Sequence, residues 1–146
     1  MTNNIITFTP DKEEDLDFLQ IAVHGWWSVL SMREPYLEKG FYIDTDNSVK
    51  VEVDLKYLQN LDNYTACDLY EDLKSFVHWA HKAAPTADVN GMVIWEDQDH
   101  AHRIYWNGDE LCERTVNTYR EMTVDEISKE LGYRVKVVGD GTKQNR

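Results

Sequence analysis

The densest grouping of side chains able to hold a metal or move a proton is Glu96, Asp97, Asp99, His100 and His102. Carboxylates and imidazoles are suitable ligands for a divalent metal, and His78 and His81 stand one helical turn apart elsewhere in the chain. No established ligand spacing such as H-E-x-x-H accompanies either group. The first expectation for this segment is therefore a solvated acidic turn with no tight metal and no cofactor; the alternative is a metal-dependent hydrolase using residues 96–102. Asp44, Asp46 and Ser48 imitate the start of a calcium loop, but Val49 stands where the tight turn needs glycine and Leu55 where a bidentate glutamate is needed. Gly139, Gly141 and Lys143 follow an expected strand without the order of a phosphate loop or the chain for its helix. No Gly-x-Ser-x-Gly elbow occurs, and Cys67 and Cys112 have neither CxxC spacing nor a nucleophile signature. No catalytic residue is assigned.

Charge says more than these motifs. Lys and Arg number 15 against 27 Asp and Glu, a formal charge of −12. Residues 1–110 carry 8 basic and 21 acidic side chains, a balance of −13, whereas residues 111–146 carry 7 and 6, a balance of +1. Such a surface repels phosphate backbones and anionic membranes, so direct binding of DNA, RNA or a membrane is not expected, while a basic protein partner is. The reading that follows is a small acidic, non-enzymatic protein that acts by binding another protein. Its sharper form is a nucleic-acid-mimicking inhibitor of a DNA- or RNA-handling protein of the restriction or CRISPR type. The residues expected to make contact are Asp11, Glu13, Glu14, Asp15 and Asp17 on the first helix, Asp68, Glu71, Asp72 and Trp79 on the second, and Glu96, Asp97 and Asp99 on a hairpin. Trp79 belongs here because it falls roughly 120° from the centre of its helix's apolar stripe, and tryptophan is favoured at interface hot spots.

These residues need elements to position them. Thr9, Pro10 and the acids after them predict a helix over residues 11–32, with Leu16, Leu19, Val23, Trp26 and Leu30 on one stripe and Pro35 as its stop. Phe18, Ile21 and Val29 fall on the other side, so both faces are expected to be covered, within the fold or by a second chain, and homo-oligomerisation through this helix is open. Phe41 to Ile43 and the alternating Val49, Val51, Val53 and Leu55 predict a hairpin. A second helix is expected over residues 65–82, starting near Asn63, with Ala66, Leu69, Tyr70, Leu73, Phe76, Val77 and Ala80 on one stripe. Strands over residues 92–95 and 104–106 are expected to join across a loop at 97–102, followed by a type I′ turn at Asn107-Gly108. Thr123-Val124-Asp125-Glu126 is a capping box for a short third helix ending at Gly132, and Tyr133, Val135 and Val137 alternate as a last strand. The unit at residues 123–138 is similar to the ending of many small bacterial and phage proteins, a phage-like context that carries over no function.

Together these elements predict one α+β domain over residues 1–138, an antiparallel sheet of hairpin, meander and C-terminal strand packed by two long helices and one short helix, with a tail at 139–146. A hydrophobic share of 42% and 17.1 kDa suffice for a core. With no apolar run long enough for a span and no leader pattern at the start, the expected location is cytoplasmic.

Overall fold

The computed structural model describes residues 4–118, 122–134 and 136. In chain order its elements are β1 (Ile5–Thr9), α1 (Asp15–Arg33), a 3-10 turn (Pro35–Lys39), β2 (Phe41–Asp44), β3 (Val49–Val53), α2 (Leu55–Leu58), α3 (Ala66–Ala83), β4 (Asp88–Glu96), β5 (His100–Trp106), β6 (Leu111–Asn117) and α4 (Val124–Leu131). The strands form one antiparallel sheet in the order β2-β3-β1-β4-β5-β6. The short β1 is its hinge: Ile6 stands opposite Val51 of β3 on one side and Gly91 of β4 on the other. Gly91 is needed there, because its φ is +108° and a Cβ would run into the Ile5 carbonyl oxygen.

Strand alternation puts Ile6, Phe8, Val49, Val51, Val53, Val93 and Ile104 on one face of the sheet, all buried. The inward stripes of α1 (Leu19, Val23, Trp26, Leu30) and α3 (Leu69, Leu73, Phe76, Val77, Ala80) complete this core. The aromatic rings interlock, with Phe76 edge-on to Phe8 at 5.6 Å and 5.2 Å from Trp26. Arg33 pairs with Asp72 and Gly25 faces Trp79, so position numbers rise along α1 as they fall along α3 and the two helices run antiparallel. On the far face of the sheet Tyr42, Ile94 and Val116 are exposed, and the Arg103 guanidinium lies 4.4 Å from the centre of the Tyr105 ring.

The α+β class stands as expected, and several boundaries move. Residues 10–14 form turns rather than helix: α1 begins at Asp15, and Glu14 caps it without a side-chain hydrogen bond. The second face of α1 is uncovered, with Phe18, Ile21 and Val29 all exposed. The expected strand through Leu55 ends at Val53 because the Asp54 carboxylate accepts from the Tyr57 N–H and starts the α2 turn. At the expected type I′ turn only Gly108 has positive φ. The central pair is Gly108-Asp109, and Asn107 Oδ1 accepts from the Asp109 and Glu110 N–H groups at 2.8 Å each. The expected capping box of Thr123 with Glu126 forms, and a second one, Thr65 with Asp68, starts α3. The last strand, expected at Tyr133, Val135 and Val137, falls largely outside the described residues, as does the tail. No helix among the described residues is long and apolar enough to cross a membrane.

Candidate functional site

β4 and β5 are longer than the sequence reading allowed, and this changes the histidine segment most. His100 and His102 belong to β5, so they share the face of Ile104 and Trp106 in one row that runs from the core to the rim. His102 is 9% exposed and stacks on Trp95, its cross-strand partner, at 4.7 Å. The turn closes at Asp97, whose N–H donates to the His100 carbonyl. Asp97 Oδ1 accepts from the Asp99 and His100 N–H groups at 3.0 and 2.8 Å, and Oδ2 lies 2.6 Å from His102 Nε2. The hydrogen bond with His102, followed by those from the backbone, holds the Asp97 carboxyl down at about 2. On the other side of the ring, Nδ1 lies 3.0 Å from Thr115 Oγ1, and that hydroxyl donates to Glu113 Oε1 at 2.8 Å.

Asp97, His100 and His102 each offer a ligand atom, and these atoms lie within 4.8 Å of one another. The sequence singles out these residues as candidate ligands but places them in a loop, because the polar composition of residues 97–102 hides the strand. The usable signal was parity, since His100, His102, Ile104 and Trp106 alternate in step as one strand face. Asp97 and His102 also line a cleft of about 440 Å³ whose apolar walls include Leu55, Leu58, Leu69 and Trp95.

The remaining contact residues separate into two groups. Asp11, Glu13, Glu14 and Asp17 are exposed ahead of and within the first turn of α1, with Asp15 half-buried. Asp68 and Glu71 are exposed at the head of α3, where with Glu34 and Asp62 they line an acidic groove of about 640 Å³. Tyr64 lines both this groove and the apolar cleft, so the acids of α3 adjoin Glu96 and Asp97, while Asp99 is exposed on the turn. Antiparallel packing places the α1 acids at the opposite end, since Asp17 and Arg33 are separated by about 24 Å of helix. One continuous carboxylate stripe is not what the fold builds.

One of the expected contact residues needs correction, and Trp79 has a mixed setting. Asp72 is no surface contact: it is 6% exposed and accepts from Arg33 Nη2 at 2.7 Å and from the Tyr64 hydroxyl at 2.8 Å. Burial pushes its carboxyl up despite these two donors, and burial beside Asp72 likewise raises the Tyr64 phenol. Trp79 is neither free nor fully covered. Its ring lies against Gly25 of α1, where a Cβ would come within 3.2 Å of it, and it remains 36% exposed.

The fold and rim therefore define a class in physical terms, an α+β protein with two helices on one face of a six-stranded antiparallel sheet and a polar cluster at the edge of its core. No family model matches the chain, and neither a curated protein nor a solved structure matches it.

Proposed function

We propose that this chain works by binding another protein, and that its contact surface is the outward face of α1. The observation that carries the reading is one stripe of large apolar side chains, Phe18, Ile21, Val29 and Met32, exposed at 62, 70, 55 and 81%. Full removal of such a side chain from water is worth about 1.5–3 kcal/mol. Four of them offset a substantial part of the cost of association, about 4–15 kcal/mol. Acids flank the stripe at both ends, with Glu13, Glu14 and Asp17 before it and the groove of Glu34, Asp62, Asp68 and Glu71 starting just past Met32. This arrangement favours a basic partner with an apolar contact strip. Because the acids form two separate groups, the partner's positive charge should lie at both ends of the contact rather than along a phosphate-binding groove. The nucleic-acid-mimic form is thus the less favoured one.

A second reading, self-association, has its own observation. The stripe is symmetric about Gly25: Phe18 and Met32 lie seven positions away on either side, and Ile21 and Val29 four. A two-fold antiparallel pairing sets each against its counterpart and brings Asp17 to Arg33, whose side chain is 60% exposed although paired with Asp72. The net charge of −12 per chain opposes this arrangement.

Sedimentation equilibrium on the wild type and Ile21→Asp, together with affinity capture at about 50 and 500 mM salt, tests both readings. A monomer that captures a basic protein at low salt, with capture weakened by salt and lost in Ile21→Asp, supports the first. A dimer that Ile21→Asp dissociates supports the second. A monomer whose captured proteins are the same with and without Ile21→Asp contradicts both.

A further inference from the structure

The hydrogen-bond valence around His102 points to a cation. Thr115 Oγ1 gives its hydrogen to Glu113 Oε1, so toward His102 it can only accept, and the ring hydrogen belongs on Nδ1. In a neutral imidazole that leaves the Nε2 lone pair facing Asp97 Oδ2 at 2.6 Å, acceptor against acceptor. Either a proton or a metal must stand between them.

The surroundings favour the metal. His100 Nδ1 lies 3.5 Å from Asp97 Oδ1, and the ligand atoms of Asp97, His100 and His102 converge within 4.8 Å. Two imidazoles and one carboxylate are a donor set for zinc-class divalent ions. Around an ion with bonds of about 2.0–2.2 Å, tetrahedral ligand atoms stand about 3.3 Å apart. Asp97, with a half-exposed side chain, can open the 2.6 Å contact to about that separation. His102 cannot easily turn, because Trp95 stacks on one side and Thr115 holds Nδ1. A ligating imidazole commonly has its second nitrogen held by such an outer hydrogen bond. Three protein ligands leave a coordination position open, and the cleft beside Asp97 and His102 gives it access.

We propose that Asp97, His100 and His102 form a binding site for a divalent transition metal of the zinc class, oriented by Thr115 and Glu113 and open toward the apolar cleft. This inference is independent of the α1 contact surface.

Tag-free, metal-stripped full-length chain should be titrated with Zn²⁺ by calorimetry and with Co²⁺ by visible absorption, with urea unfolding of each variant as a check of folding. The expected result is one ion per chain at micromolar affinity or tighter, with a cobalt spectrum of four- or five-coordinate geometry. His100→Ala, at a half-buried position, and Asp97→Asn, at an exposed one, should each weaken binding by about a hundredfold or more, and Thr115→Val by about tenfold. Absence of binding at about 100 μM metal, or less than about a tenfold change in either His100→Ala or Asp97→Asn, overturns the site and leaves the proton as the shared cation.

Discussion

α1 and α3 lie side by side over the same sheet face, are nearly equal in length at 19 and 18 residues, and dispose their apolar side chains differently. α3 turns Leu69, Leu73, Phe76, Val77 and Ala80 inward and presents Asp68, Glu71, Lys74 and His78 to water. α1 also buries one stripe, yet carries a second of comparable bulk on its solvent side. Packing against the sheet accounts for α3 apart from Trp79, which lies partly exposed against Gly25 of α1, and for only half of α1. The unaccounted half has no role in the isolated fold, since an exposed apolar side chain contributes nothing to the core it does not touch, and a contiguous exposed patch marks interaction more often than a scattered residue does.

The largest expected effect sharpens this contrast from the inside. Phe76→Ala, removing a fully buried ring that meets both Phe8 and Trp26, should destabilise the fold by about 3–5 kcal/mol in urea unfolding. Asp72→Ala comes next, at about 1–3 kcal/mol, because it strands the half-buried Tyr64 hydroxyl and frees Arg33. A double-mutant cycle with Arg33→Ala should show coupling between the two positions.

His81 supplies the pH dependence. Its ring stacks on Trp106 at 5.1 Å, meets Phe8 edge-on, and keeps Nε2 buried with no hydrogen-bond partner among the described residues. Burial lowers its proton affinity below the ordinary 6.5, partly opposed by a hydrogen bond with the Pro85 backbone. Below about pH 6.5 the unfolded chain therefore binds the proton first. Stability from this group is intact above that value and declines as the pH falls through it toward the lower folded value. The decline between about pH 7 and 5, followed by urea midpoints, should be shallower in His81→Phe. The smallest effect is the one that isolates the outer face of α1: Ile21→Asp should change stability by no more than about 0.5 kcal/mol.

Much of this could be read from residues alone, and the losses have physical causes. Thr123 with Glu126 announces a helix start because the interaction is local, three residues long and chemically specific. The inward stripes of both helices follow from period. Whether the second stripe of α1 is covered does not, since periodicity says which side chains share a face and nothing about what lies opposite it. Asp72 looked like one more surface acid because its partner Arg33 is 39 positions away, beyond the reach of any local rule. The rim cluster can be named from its residues, but its strand cannot: residues 97–102 have the composition of a loop, while the register of β4 with β5, Trp95 opposite His102, is a property of the whole hairpin.

The central claim is that the outward face of α1 is a surface for another protein while that of α3 is only solvated. A photo-crosslinking amino acid placed at Ile21, and in a parallel chain at His78, which is exposed on α3, compares the two helices directly in cells. Both variants should fold as the wild type does. The account predicts one basic protein, or a second copy of this chain, crosslinked from position 21 and absent from position 78. Equal crosslinking from both positions, or none from position 21 with the folded protein present, contradicts it.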